Sequence, residues 1–162
     1  MYTSEIERYM KGVPGFLGVF AADSFPTRLP NQKGVYSLIL NTDPSWREGK
    51  HWIALVLLPE QGRSLFFDSY QIPPQTLFEP IIHERLSDLL SNAHSIVIET
   101  SPFPIQANDS PLTVEGECGE YCIFVLYHLP KYLYKLSHLI YSEFVSSNPI
   151  FNAVKVKRFV YQ

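Results

Sequence analysis

Residues 51–68 read HWIALVLLPEQGRSLFFD, and this stretch decides the fold. From His51 to Leu58 the run is nearly all apolar and does not alternate, the mark of a central strand covered on both faces. Pro59 to Arg63 supplies turn residues, and Ser64 to Asp68 reads as a second strand. Two consecutive strands joined around Gln61-Gly62 form a hairpin, in which positions equidistant from the turn face each other.

Outward from this hairpin, Val35 to Leu40 reads as a further strand, followed by the turn Asn41-Thr42-Asp43-Pro44-Ser45, and Ser95 to Thr100 as another. Thr3 or Ser4 can cap a short helix running to about Lys11, which Gly12, Pro14 and Gly15 end. Pro26, Pro30 and Gly34 make the stretch after Phe20 a loop. Leu77, Ile81, Ile82, Leu86, Leu89 and Leu90 have helical spacing over Leu77 to Ser91. A helix opens at Cys118 and ends near Pro130, and Tyr134 to Val145 reads as another. Asn152 is a candidate cap for a last helix, while the alternation of Val154 and Val156 keeps a strand open there. The class is α+β, a central, mostly antiparallel sheet packed by helices. With no repeat, low-complexity tract or long linker, residues 1–162 are expected to form one domain.

Composition sets the bounds on function. A chain 46% hydrophobic and 18% charged is globular, and 14% aromatic residues suggest an aromatic-lined groove. Its net charge of −3 argues against a broad nucleic-acid or anionic-membrane footprint. The cluster Lys155, Lys157 and Arg158 reads as a solvated face. No apolar run is long enough to span a bilayer, and residues 1–12 are too polar for a signal peptide. Two cysteines, Cys118 and Cys122, make no disulfide framework, which fits an intracellular, reducing setting.

His51 and Asp68 both lie at the open end of the hairpin, offset by a few residues. A carboxylate there can accept from one imidazole nitrogen, fix the tautomer and stabilise the imidazolium, leaving the other nitrogen to take a proton from a thiol. Cys118 supplies the thiol. At a helix start, unpaired backbone N–H groups and the positive end of the dipole favour the thiolate, and Gly119 allows close backbone approach to a substrate. A lone His at a strand start or a lone Asp before Ser69-Tyr70 is ordinarily structural; their joint occurrence with Cys118 points to catalysis.

Five stretches stand in order: Gly18 to Pro26 (GVFAADSFP), Asn41 to Ser45, Gly49 to Ala54 (GKHWIA), Phe66-Phe67-Asp68-Ser69-Tyr70, and Cys118-Gly119-Glu120-Tyr121-Cys122. Together they resemble the adenovirus endopeptidase (adenain) family of cysteine proteases, with its relatives from other DNA viruses and virus-like transposons, and more distantly the SUMO-specific proteases. The resemblance covers about residues 12 to 130 and implies a papain-like, adenain-like fold with the nucleophile at the N-terminus of a buried helix. It implies His51 as general base, Asp68 as its orienter, Cys118 as nucleophile and Trp52 as the aromatic packed beside the site. The family's oxyanion-donating glutamine is matched by Gln106, twelve positions before Cys118 where relatives have about six or seven; Pro111, Leu112 and Thr113 suggest an inserted bulge, and Asn108 is the fallback donor. Asp23 sits where relatives line the substrate groove, with turn capping as the alternative role.

The resemblance further implies a cysteine endopeptidase cutting next to glycine or other small residues. Its substrate would be a protein or peptide, and its role the maturation of viral structural precursors in the host cytoplasm or nucleus, or inside the virion. A ubiquitin-like protein as partner is the alternative, with the same triad. The adenovirus enzyme's activating peptide is tethered by a disulfide to a further cysteine that this chain lacks, so any peptide activator would bind noncovalently. This chain is also shorter, and extra C-terminal activator surface is expected to be missing. Cys122, one turn beyond Cys118, reads as a buried apolar residue, and no metal or other cofactor is expected. His83, His94, His128 and His138 read as structural or exposed.

Overall fold

A computed structural model describes residues 1–106 and 117–162. Its centre is a five-stranded sheet of β1 (Phe16–Phe20), β2 (Tyr36–Asn41), β3 (Trp52–Leu58), β4 (Arg63–Phe67) and β5 (Val97–Thr100), in that spatial order. The hairpin is β3–β4, closed by a 3₁₀ turn over Pro59–Gln61 and by Gly62 at φ +64, a left-handed conformation that suits glycine. β2 also runs antiparallel to β3, whereas both edge strands, β1 and β5, run parallel to their neighbours. The α+β class holds, with antiparallel pairing confined to the three central strands.

Helices cover both faces, which is why β3 shows no polar alternation. Ile53, Leu55 and Leu57 point into a core with Phe25, Leu38, Leu40 and the inner face of α3 (Pro80–Asn92: Ile82, Leu86, Leu89). Ala54, Val56 and Leu58 point the other way, into a core shared with α1 (Thr3–Met10), α4 (Cys118–His128), α5 (Leu136–Glu143) and α6 (Pro149–Val160). Every residue of α4 from Cys118 to Leu126 is buried. A helix apolar nearly all round is one enclosed by protein, and this one packs directly on β3 and α6.

Four local readings differ from the sequence expectation. β1 was not anticipated: Gly18, at φ +139, sits inside it where the register with β2 shifts between Phe16 and Val19, so glycine marks an irregularity within a strand. The helix expected from Leu77 is split into α2 (Pro74–Leu77) and α3, because Phe78 and Glu79 turn extended ahead of Pro80. The last segment is helical, not a strand, and its cap is Asn148, whose side chain accepts from the Phe151 N–H. Asn152 is instead buried inside α6, donating to the Ile105 and Val145 carbonyls and accepting from the Val145 N–H. Thr3 is the first residue of α1 rather than its cap, and the Tyr2 N–H is taken by Glu5 (2.7 Å).

Candidate active site

The first residues of β3 and α4 meet at one end of the sheet. His51 precedes β3, Asp68 follows β4, and Cys118 opens α4. His51 Nε2 is hydrogen-bonded to Asp68 Oδ1, and both side chains are buried. The Asp68 carboxylate is fixed by the N–H groups of Tyr70 (3.2 Å) and Ile72 (2.8 Å), so its orientation does not depend on the histidine. Cys118 lies close enough to the imidazole to be among the groups that raise its pKa, and with Nε2 committed to Asp68 the other ring nitrogen, Nδ1, is left for the sulfur. The Trp52 N–H donates to Cys118 Sγ at 3.3 Å.

Electrostatics follow from this row. Burial alone would lower the pKa of His51, but hydrogen bonds to Asp68 and Cys118, and then their charges, overcome burial and raise it from 6.5 to about 9. The shift favours the imidazolium form of His51. Cys122 is a different case: complete burial pushes its thiol well above the usual value, and it lies inside the α4 core.

Gln106 is buried against the acid's neighbour. Its Oε1 accepts from the Ser69 hydroxyl at 2.7 Å, and the N–H groups of Ile105 and Gln106 donate to the Ser69 carbonyl. With the amide oxygen committed, only the NH2 end is left for donation elsewhere. Asn108 and Pro111 to Thr113 lie outside the described residues.

Two clefts, of about 460 and 770 Å3, meet at Cys118 and share Asp43, Arg47 and Lys50. Trp52 and Ser45 line the first, while His51, Tyr70 and Glu79 line the second. The loop between β2 and β3 that forms their common wall is organised by Asn41. Its Oδ1 accepts from the N–H groups of Asp43 (2.8 Å) and Lys50 (3.3 Å), and a Cβ on Gly49 (φ +89) would come within 2.6 Å of its Nδ2. Asp23 does not line either cleft. Its carboxylate accepts from the Ser45 N–H (2.7 Å) and hydroxyl (2.8 Å), and although burial opposes it these bonds hold its pKa down. Asp23 thus pins the cleft wall from behind. Around Gly119, a Cβ would lie 3.3 Å from Trp52 and Met1 atoms, so its bareness serves the packing of the Trp52 ring, whose Nε1–H donates to the Met1 carbonyl.

The structure brings His51, Asp68, Cys118 and Trp52 together and places Gln106 beside Ser69. Three further residues escaped the sequence reading. Tyr70 stacks tilted against His51 with ring centroids 5.1 Å apart; extending the register from Ala54↔Phe67 by three residues puts it opposite His51, a signal available in the hairpin spacing. Asp43 and Arg47 stand in the turn region after Asn41, which carried a motif but no assigned chemistry. Among the described residues there is no group of three or more His, Cys, Asp and Glu placed to hold a metal ion, and no helix is long and apolar enough to cross a membrane.

A buried carboxylate, imidazole and thiol in series, the thiol at a helix start, is an arrangement suited to acyl transfer. Residues 16–157 match the adenovirus endoprotease family, and the chain belongs to it. It is 32% identical to the protease of Bovine adenovirus 4 over 123 residues, covering 73% of this chain and 58% of that protein. With the protease of Ovine adenovirus D serotype 7 it shares 31% identity over 119 residues, 70% of this chain and 55% of the relative. The chain thus spans a little over half the length of these relatives. A crystal structure of an ASFV protease is similar over 75% of this chain and 43% of its own, with a TM-score of 0.41 and 19% identity.

Proposed function

We propose that the protein is a cysteine endopeptidase in which Cys118 attacks a peptide carbonyl with His51 as its acid–base partner and Asp68 as orienter. The observation that carries this reading is the grouping of the hydrogen-bonded Asp68–His51 pair with Cys118 at the meeting point of two clefts. The raised imidazole pKa supports a thiolate–imidazolium pair as the starting state. Attack of Sγ on the carbonyl carbon gives a tetrahedral oxyanion next to the Cys118 N–H, which as the first residue of α4 has no intrahelical partner. Gln106 is the proposed second donor through its NH2 end. Collapse expels the amine, which takes the proton from His51, and leaves a thioester on Cys118. Water, deprotonated by the now neutral imidazole, hydrolyses it and regenerates the thiolate–imidazolium pair.

Trp52 and the Asn41–Lys50 loop form the substrate walls, with Asp23 supporting the loop through Ser45. Membership of the adenovirus endoprotease family supports a protein substrate, and we read the role as processing of viral structural precursors next to glycine or other small residues. Incubation of the purified chain with Gly-rich precursor peptides tests this directly. Cleavage that disappears in Cys118→Ala supports the reading, and cleavage retained in that variant overturns it.

A further inference from the structure

Cys118 is bracketed by two buried carboxylates that the proposed mechanism does not use. Glu117, immediately before it, is 3% exposed, and Glu120, two residues after it, is 6% exposed. Each has one oxygen, Oε2, without a hydrogen-bond partner among the described residues. The partnered oxygens face α6 and the residue after it: Lys157 Nζ lies 2.6 Å from Glu117 Oε1, and the Tyr161 hydroxyl donates to Glu120 Oε1 at 2.6 Å. Acidic groups suit a helix N-terminus, but a thiolate formed at Cys118 adds a third anion to the same turn. Like charges in so small a buried volume disfavour one another's ionised forms.

We propose that Lys157 is a positioning residue for Cys118: its ammonium cancels the Glu117 carboxylate and so lets the thiolate form beside it. The inference rests on the reading of Cys118 as nucleophile. The charged and titratable groups described around this turn are His51 and Asp68 from the hairpin, Tyr70 just beyond it, Asp43, Arg47, Glu48 and Lys50 from the cleft wall, Glu79 ahead of α3, Tyr121 and Cys122 from α4 itself, and Lys157 and Tyr161 from the C-terminal segment. Of these, Lys157 is the cation that touches Glu117; His51 is engaged with Asp68 and Cys118. Among the described residues Glu120 is met by the neutral Tyr161 hydroxyl, and on the cleft side Arg47 is already paired with Asp43 and Glu79, so Lys157 is the cation set directly against the turn's own carboxylates.

The test is the pH dependence of Cys118 alkylation by iodoacetamide in the whole chain, followed by mass mapping of the labelled peptide. Lys157→Met should raise the midpoint of the profile and cut the rate near neutral pH by about tenfold, a one-unit shift. Glu117→Gln alone should move the midpoint down, and added to Lys157→Met it should restore the profile. Lys157 is 41% exposed at its side chain, and circular dichroism reports whether its replacement leaves the fold intact. Should Lys157→Met fail to fold, the Glu117→Gln midpoint decides by itself. Superimposable profiles in wild type and Glu117→Gln, or a Lys157→Met that lowers Tm without moving its profile, overturn the inference while leaving a reactive Cys118. A wild-type Cys118 that reacts no faster than a free thiol overturns the nucleophile reading, and this inference with it.

Discussion

The backbone N–H of Trp52 donates to the sulfur of Cys118 at 3.3 Å, tying the first residue of β3 to the first residue of α4 across 66 positions of sequence. The bond needs no side chain on residue 52, so it survives any substitution there except proline. It gives the sulfur a backbone donor on the side of β3, beside the helix start and the imidazole. At pH 6 to 7 a thiol-directed reagent should therefore label Cys118 and spare Cys122, which is wholly buried. Peptide mapping after brief exposure checks this; equal labelling of both cysteines would count against it. His51→Ala should abolish the selective labelling and lower cleavage by about 10²–10⁴-fold.

His51 should set the alkaline limb of the proposed activity. Its pKa is raised from 6.5 to about 9, so the imidazolium persists through neutral pH and is lost as pH rises through about 9. Activity requiring the ion pair should fall over that limb. The same group contributes to stability: its contribution is full below about 6.5, declines above it and is gone beyond about 9. Replacement by Asn should remove the pH dependence of Tm between these values, as calorimetry at several pH values would show.

Gln106→Ala should lower kcat by about 10²–10³-fold with KM little changed, the signature of a donor that acts on the transition state. Ser69→Ala, which frees the amide oxygen but keeps its NH2 group, should cost less. Steady-state kinetics on one peptide substrate distinguishes the two. A Gln106→Ala variant of unchanged kcat removes Gln106 from the chemistry.

Glu143 anchors α5 to α6 and to the chain between α4 and α5. Burial would raise its pKa, but hydrogen bonds from Lys155 and Tyr132 and the charges of Lys155 and Lys131 lower it from 4.5 to about 2. Its stabilising effect is thus present above about pH 4.5 and is lost as pH falls through about 2. Glu143→Gln should reduce Tm at pH 7, and the difference from wild type should vanish toward pH 2.

Asn152 carries a buried side chain with three hydrogen bonds to backbone groups of Val145 and Ile105. Asn152→Leu leaves those groups without partners and should destabilise the protein by about 2–4 kcal/mol, read from urea unfolding. Asn148→Ala, which removes the exposed helix cap, should cost only about 1 kcal/mol.

The sequence showed most clearly what depends on neighbours in the chain. β3 and β4 were legible because a two-sided apolar run, a Pro-Glu-Gln-Gly turn and a second apolar run leave few alternatives, and His51 and Asp68 followed from the hairpin. β1 was hidden by the glycine in its middle, and the α3 start by a proline that can open a helix as well as stop one. Asn148 and Asn152 look alike in sequence; one caps α6 and the other is swallowed by it, a difference decided by the tertiary partners Val145 and Ile105. Arg47 and the Lys157–Glu117 pair were invisible for the same reason, since each acquires meaning through a residue far along the chain.

The Trp52–Cys118 bond also bears on the order in which the proposed site assembles. His51 and Asp68 are brought together by a local hairpin, a microsecond-scale event, whereas Cys118 must arrive with a helix whose core is assembled from both ends of the chain. A refolding population should thus regain most of its circular dichroism before its low-pH thiol reactivity. Cys118 labelling would then serve as a clock for the last docking step, and a newly made chain should stay chemically silent until α4 has docked on β3.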